Sequence, residues 1–269
     1  MTEPTPLHPW AQEHRLRYVS GEASMFLLHG NVRDVFPWTF SDGTTRYVPL
    51  REFLERFLSR TKDLVAYYNV SEGLEFPDKR TEERFRTVVN AQRMMNGNGL
   101  LSEWPTSVDT VLPLVERVIT DTTQGAAVVL DYVETIVPMA DIGFMSEADK
   151  ASLISMQRWS SDPSLLQSDN IVLLVAENLS DVHRRVTASA QLVHVTVALP
   201  EADARLAFIR NLDHDGVTLE MPDDSLAKVT AGLSLVQIRG LFRRARQSGK
   251  PITFRTVSRR KKAIIEQEC

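Results

Sequence analysis

Residues 25–31 read Met-Phe-Leu-Leu-His-Gly-Asn, a short apolar run that ends in a glycine turn. Such a run predicts a buried strand, and the turn after it is where nucleotide-binding α/β domains place a phosphate loop. The turn continues as Val-Arg-Asp-Val-Phe in residues 32–36, and the pattern G-x-x-x-x-G-K-[ST] occurs nowhere in the 269 residues. The chain therefore lacks the sequence that supplies a nest of backbone N–H groups, a lysine and a magnesium-binding hydroxyl for phosphates.

The composition is that of an ordinary globular protein, with 43% apolar and 25% charged residues. Cys269 is the single cysteine, which excludes an internal disulfide framework or a cysteine-based zinc site and fits a reducing compartment. The N-terminus has no signal-peptide pattern, and no run reaches the ~18 apolar residues of a membrane span. We therefore expect a cytoplasmic protein that makes no membrane contact.

Apolar runs alternate with helical periodicity in the first two-thirds of the chain. Strands are predicted at 25–31, 64–70, 126–131 and 170–176, and helices at 50–60, 78–93 and 108–120. The strands are unbroken apolar runs, which is typical of parallel sheets buried between helix layers. The fold class predicted is therefore α/β, with a parallel sheet sandwiched by helices. Residues 128–130 and 171–175 are expected to form adjacent central strands of that sheet, with Asp131 and Asn178 at the same edge.

Beyond Pro200 the pattern becomes helical. Helices are predicted at 201–212, 223–231, 235–247 and from Ser258 to Cys269, with a brief extended piece at 217–219. We therefore divide the chain into an N-terminal extension (1–23), an α/β subdomain (24–199) and a small helical lid subdomain (200–269). The last helix has no glycine or proline stop, which favours continuation into a further module.

The order of these segments resembles the AAA ATPase family. Residues 128–131 (Val-Val-Leu-Asp) are similar to its second acidic motif, in which the aspartate, here Asp131, holds Mg²⁺ through water. Residues 171–178, which end in Asn178, are similar to its sensor strand, and 195–205 to the strand, proline and arginine-bearing helix before its lid. The resemblance covers roughly residues 24–269 and implies a degenerate P-loop NTPase fold.

The resemblance is strongest to the degenerate N-terminal AAA-like half of the tandem AAA proteins of bacteria and plastids. In those chains a first module without a phosphate loop precedes a complete AAA ATPase module. The resemblance therefore implies a missing active half after Cys269. ATP and Mg²⁺ are expected only in that half, and this chain is expected to need no cofactor.

Three departures from the family indicate that this chain does not hydrolyse ATP. The phosphate loop is absent, and Tyr132 follows Asp131 where active members have glutamate. Residues 187–191 carry no arginine finger to stabilise the transferring phosphate, since Arg184 and Arg185 come a few residues early. We therefore expect no catalytic residues, with Asp131, Glu134 and Asn178 as vestigial positions of the nucleotide site.

Other arrangements of polar residues point to no defined chemistry. The six histidines never stand at H-x-H or H-x-x-x-H spacing, so we expect no metal site and interpret them as solvent or core histidines. Asp131 with Glu134 forms a carboxylate pair, but a vestige of the family pattern or a helix cap explains it better. His29, Gly30 and Asn31 could shape a ligand pocket at the carboxyl edge of the sheet, although a plain turn explains them as well.

The strongest functional signal is electrostatic. Eleven basic residues and no acidic one lie between Asp224 and Glu266, and since the whole chain is formally −4, the rest sums to −15. Such asymmetry predicts a surface that meets something negative. The residues predicted for that partner-binding surface are Arg239, Arg243, Arg244, Arg246, Arg259, Arg260, Lys261 and Lys262. Aromatic residues barely interleave with them, which disfavours stacking on single-stranded nucleic acid.

Two hypotheses follow. In the first, the chain is a non-catalytic AAA-like module that serves as scaffold, partner-binding or regulatory arm for an ATPase domain of the same protein. Its expected partners are that C-terminal AAA domain and an acidic protein, and oligomers are expected only in the full-length form. In the alternative, the chain is a nucleic-acid-associated subunit whose basic lid contacts phosphates, as clamp-loader arms do.

Overall fold

The computed structural model describes residues 7–268, which contain eight strands and eleven α-helices. The strands are β1 (Met25–Gly30), β2 (Val35–Thr39), β3 (Thr45–Pro49), β4 (Leu64–Asn69), β5 (Gly73–Glu75), β6 (Ala126–Leu130), β7 (Ile171–Ala176) and β8 (Leu192–Val197). The helices are α1 (Pro9–Val19), α2 (Leu50–Leu58), α3 (Lys79–Met95), α4 (Val108–Ile119), α5 (Glu147–Ser160), α6 (Pro163–Gln167), α7 (Arg184–Thr187), α8 (Ala202–Asn211), α9 (Asp223–Val229), α10 (Leu235–Ser248) and α11 (Phe254–Glu268).

The described chain forms two compact units. The first combines residues 7–32 with Arg51–Val197, and we call it the α/β unit. The second combines Arg33–Leu50 with residues 198–268, and we call it the helical unit. The segment 33–50 thus clusters with the helices rather than with the sheet that precedes and follows it.

The α/β unit is built on a six-stranded sheet in the order β5-β4-β6-β7-β1-β8. All neighbours are parallel except the short edge strand β5, which runs antiparallel to β4. The predicted pairing of two central strands is confirmed, since Val128 lies opposite Val172 and Leu130 opposite Leu174. The predicted α/β fold class is therefore confirmed, and the carboxyl ends of β6 and β7 share one edge of the sheet.

Both faces of the sheet are covered by helices. Leu27 belongs to a core that includes Phe85 of α3, Val115 of α4 and Leu153 of α5. Phe26 points to the opposite face because side chains alternate along a strand, and its ring lies 4.6 Å from that of His14 in α1. Strands β4, β6 and β7 are buried along their whole length, which explains why they read as unbroken apolar runs.

Helix α1 lies within the predicted N-terminal extension. Trp10, Ala11 and His14 are buried, and the Trp10 ring lies 5.1 Å from that of Phe53 in α2. The end of α1 is held by an ion pair between a buried lysine and an exposed aspartate: the Lys62 ammonium is 2.7 Å from an Asp169 carboxylate oxygen, and both groups also bond the Tyr18 hydroxyl. These contacts make α1 part of the α/β unit.

The helical unit packs α8, α9, α10 and α11 around one apolar core. Phe208, Leu226, Ile238, Phe242 and Val257 are buried in it. The hairpin of β2 and β3 contributes Val35 to the same core, and the Tyr47 ring lies 4.6 Å from that of Phe208. Helix α11 begins at Phe254, one turn before the predicted start at Ser258.

The predicted small helical domain after an α/β domain is therefore confirmed. No helix of residues 7–268 combines the length and the apolar character that a bilayer crossing requires. Cys269, on which the expectation about redox compartment rests, lies outside the described residues.

Candidate functional site

The switch point of the sheet lies between β1 and β7. From β1 the chain passes to β4 on one side, returns through β6 and β7, and then crosses to β8 on the other side. In open α/β sheets, ligands bind in the crevice outside the carboxyl ends of the strands at such a reversal. The residues that line this position are the turn after β1, Asp131 after β6, and Glu177 and Asn178 after β7.

The turn after β1 uses its backbone N–H groups within the protein. Gly30 donates to the Glu177 carbonyl at 2.9 Å, and Asn31 donates to the Val197 carbonyl at 2.7 Å. Val32 donates to the Gly30 carbonyl at 2.7 Å. These three consecutive donors occupy the position from which a phosphate loop would offer N–H groups to its ligand.

Gly30 is required at this turn for two reasons. Its φ of +96° belongs to the region that residues with a side chain rarely adopt, and a Cβ atom there would lie 2.7 Å from the Val197 carbonyl oxygen. The backbone therefore approaches the end of β8 more closely than any other residue type allows. The glycine signals a close contact between strands.

Asp131 and Tyr132 form a strained turn at the end of β6. An Asp131 carboxylate oxygen accepts a hydrogen bond from the Tyr132 N–H at 2.8 Å. Tyr132 has a φ of +53° and is the single residue other than glycine with positive φ among residues 7–268. Its carbonyl accepts from the N–H and the hydroxyl of Thr135 at 2.8 and 2.7 Å, which starts a short 3₁₀ helix (Val133–Thr135). Such strain in a non-glycine residue costs about 1–3 kcal/mol and is concentrated at functional sites.

The other two predicted vestigial positions lie at the same edge. The Asn178 amide donates to an Asp181 carboxylate oxygen at 3.0 Å within its own turn. Glu134 is half-buried on the 3₁₀ helix after Tyr132. Since Leu130 lies opposite Leu174, Asp131 comes level with Val175 and Asn178 extends further beyond the edge. The structure thus brings these residues to one edge without joining Asp131 to Asn178.

The arginines near the family's catalytic positions are placed differently from one another. Arg184 and Arg185 are exposed on α7. Arg205 is buried in the helical unit, where its Nε donates to the Ala227 carbonyl at 2.8 Å and its guanidinium also bonds the Pro200 carbonyl. Burial lowers the pKa of Arg205. This guanidinium therefore serves to join the start of α8 to α9.

The histidines are dispersed. His14 is buried against Phe26 and Phe57, and burial together with the nearby Lys62 charge lowers its pKa to about 4. His29 lies 3.3 Å from the Thr196 hydroxyl, and burial followed by the proximity of His194 lowers its pKa. Within the described chain, no three His, Cys, Asp or Glu side chains cluster in a way that could hold a metal ion.

Asp34 is a structurally important position that the sequence analysis missed. Its two carboxylate oxygens accept hydrogen bonds from the N–H groups of Leu235 and Val236, each at 2.9 Å, and the side chain is 3% exposed. It thereby caps the start of α10, alongside the capping box of Ser234 and Gln237. No local pattern signals a cap that comes from 201 residues away.

The basic residues of the helical unit fall into two groups. Arg246 donates to Asp213 and to the Asp215 carbonyl at 2.9 Å, Lys261 donates to the Val229 carbonyl at 3.3 Å, and Lys262 pairs with Glu266 at 3.7 Å. In contrast, Arg239, Arg243, Arg244, Arg259 and Arg260 make no side-chain hydrogen bond or ion pair with any described residue. The predicted surface therefore contains both structural and uncommitted cations.

Two family models match the chain and together span nearly all of it. Residues 2–198 match the family described as AAA+ chaperone, N-terminal Rossmann-like domain. Residues 203–269 match the family described as AAA+ chaperone, second helical domain. No curated protein matches the chain. The order of the two matches follows the α/β sheet and the helices after it, and the chain belongs to the AAA+ chaperone family.

Proposed function

We propose that this chain is a non-catalytic AAA+ module that binds no ATP and acts as a scaffold or partner-binding arm for an ATPase domain of the same protein. One observation carries the proposal: the N–H groups of Gly30, Asn31 and Val32 are bonded to carbonyl groups of the protein itself. A triphosphate at this turn would have to break those bonds before it gained any of its own. Val197 is buried, and a buried carbonyl left without a donor costs about 1–3 kcal/mol.

The sequence supports the same conclusion. The turn carries neither the lysine nor the hydroxyl that phosphate loops direct at the β- and γ-phosphates and Mg²⁺. Tyr132 replaces the glutamate that would polarise the attacking water, and a phenol is no substitute for a carboxylate base at neutral pH. The module therefore keeps the fold of an ATPase domain, does not hydrolyse ATP and acts by binding partners through its surface.

The test is isothermal titration of the chain with ATP and Mg²⁺. We expect no heat of binding beyond dilution. A dissociation constant in the low micromolar range that Asp131→Ala weakens would overturn the proposal, because it would show a working site at the β6 edge. Glu147→Ala is the matched control, since Glu147 is an exposed acid at the start of α5. Equal weakening by both variants would indicate nonspecific attraction of Mg²⁺ to the acidic surface.

The scaffold role is tested in the full-length protein. A module that serves an attached ATPase domain should alter its turnover when the module is deleted or its surface changed. We expect the ATPase rate of the full-length protein to respond to charge reversal at Arg244 and Arg259, while Asp131→Ala leaves the rate unchanged. The opposite result would place an active nucleotide site in this module.

A further inference from the structure

The helical unit contains a groove between α10 and α11 that encloses about 430 Å³. Leu241, Arg244, Ala245 and Ser248 line it from α10, at positions i, i+3, i+4 and i+7 of one helix face. Thr256, Arg259, Arg260 and Ala263 line it from α11 with the same spacing. The loop between the helices closes one end with Lys250, Pro251 and Ile252. Two facing helix faces and their connection therefore build the groove.

The rim of the groove is cationic and uncommitted. Arg244, Lys250, Arg259 and Arg260 line it, and none of these four side chains makes a hydrogen bond or ion pair with a group that the structure describes. By comparison, Arg246 and Lys262 on the same helices are paired with acidic residues. Among the described residues, no acidic side chain lines the groove. The groove thus concentrates positive charge that the described residues do not neutralise.

The floor of the groove is apolar. Leu241, Ala245 and Ile252 are buried, and Ala263 is half-buried beside them. Duplex phosphates carry no apolar group that would fill such a floor, and no aromatic side chain of the described chain lines it on which a base could stack. An amphipathic peptide satisfies both parts, since its apolar side chains fill the floor and its carboxylates reach the rim.

We propose that the α10–α11 groove binds an acidic amphipathic segment of a partner protein. Carboxylates accept bidentate hydrogen bonds from guanidinium groups, and arginines supply three of the four rim cations. The inference rests on the proposed function, because it names the class of partner that the non-catalytic module would bind. It requires neither ATP nor the switch point of the sheet.

The test measures fluorescence anisotropy with a labelled synthetic peptide that has leucines at i, i+3, i+4 and i+7 and glutamates elsewhere. We expect micromolar binding to the chain. The double variant Arg244→Glu, Arg259→Glu should weaken it at least about tenfold, as expected for loss of charge-assisted hydrogen bonds. The matched control is Arg243→Glu, Arg255→Glu, which makes the same charge change at exposed positions of the same two helices outside the groove. It should change the affinity less than about twofold, because exposed charge pairs contribute little.

Two companion probes decide the chemistry. A peptide with serine in place of leucine tests the apolar floor, and a labelled DNA duplex tests phosphate binding. The inference would be overturned if no peptide bound, or if the serine peptide bound as tightly as the leucine peptide. It would also be overturned if the two double variants lost equal affinity, or if the duplex bound more tightly than the peptide and with a strong dependence on salt. Circular dichroism melting checks that the variants fold. If the double variant Arg244→Glu, Arg259→Glu does not fold, the double variant Arg244→Gln, Arg259→Gln takes its place.

The outcome is separable from the ATP titration. Binding of ATP to the chain, with peptide binding still lost in the groove variant, would refute the proposed non-catalytic function and leave the groove inference intact. Absence of peptide binding together with absence of ATP binding would refute the groove and leave the non-catalytic proposal intact.

Discussion

The carboxyl edge of the sheet and the α10–α11 groove differ in what their polar groups contact. At the edge, the turn after β1 directs its N–H groups at carbonyl groups of the protein, and Asp131 and Asn178 bond within their own turns. In the groove, four cations surround an apolar floor without a partner among the described residues. At the sheet edge, where the fold predicts a ligand site, these polar groups are bonded to other groups of the protein. The cations without a described partner lie in the groove, where the fold class predicts no site.

The comparison teaches that position in a fold and capacity to bind are separate properties. A sheet reversal gives the place for a ligand, but the groups at that place must still be available to it. A polar group is available to a ligand only if it has no hydrogen-bond or ionic partner within the protein.

Gly30→Ala should disrupt the contact between the turn after β1 and the end of β8 and destabilise the protein by about 4 kcal/mol, as the sum of backbone strain and overpacking. The reason is the 2.7 Å approach of a new Cβ to the Val197 carbonyl at a φ of +96°. Urea unfolding measures the loss. Gly43→Ala is the control, since Gly43 has a φ of +80° and a Cβ added there would meet no heavy atom within 4 Å. Equal losses in the two variants would show that the contact with β8 is not tight.

Asp34→Ala should destabilise the helical unit by about 2–3 kcal/mol, because two backbone donors at the start of α10 lose a buried carboxylate. Hydrogen exchange of the Leu235 and Val236 amides should accelerate with it. Asp34→Asn keeps one acceptor and should cost roughly half as much by the same reasoning. An unchanged exchange rate in the alanine variant would show that the cap does not hold the helix.

His14 should make the α/β unit sensitive to acid. Its pKa is about 4 in the native state against 6.5 unfolded, so the unfolded state binds the proton more readily. Stability is therefore fully present above about pH 6.5 and falls toward pH 4, with a loss of about 2 kcal/mol between pH 7 and pH 5. Urea unfolding at the two pH values measures this loss. His14→Leu should flatten that part of the profile, and an identical profile would place the titration elsewhere, for example at His29.

Arg246→Glu should cost about 1 kcal/mol, because Arg246 links α10 to Asp213 and to the Asp215 carbonyl. Arg244→Glu should change stability by less than about 0.5 kcal/mol, since Arg244 is exposed and unpaired among the described residues. Thermal melting of the two single variants compares them. Equal costs would show that the division into structural and uncommitted cations is wrong.

Much of the fold was predictable because burial leaves a direct pattern in sequence. The unbroken apolar runs of β6 and β7 identified two adjacent parallel strands, and helical periodicity identified the helices after Pro200. The hairpin of β2 and β3 was missed, since Pro37 argues against a strand. The Asp42-Gly43 pair between the strands is a hairpin signal that could have revealed it.

The functional detail was less predictable because it depends on partners distant in sequence. Charge counting identified the basic stretch, but no count separates Arg246, which is paired with Asp213, from Arg244, which has no ionic partner among the described residues. The absence of a phosphate loop was visible, whereas the use of the Gly30 and Asn31 donors depends on carbonyls that follow β7 and end β8. Sequence patterns report periodicity and composition, and pairing across the chain appears only in three dimensions.

The cap that Asp34 forms on α10 can be made only late in the synthesis of the chain. Asp34 and its hairpin leave the ribosome 201 residues before Leu235, whose N–H the carboxylate must accept. At the usual rates of translation this interval lasts about 10–40 s, far longer than a hairpin or helix needs to form. Val35 and Tyr47 therefore emerge as apolar groups whose core does not yet exist. The hairpin therefore stays without its core while β4 to β8, α8 and α9 are made, and during this interval its apolar groups are open to chaperones and to premature aggregation.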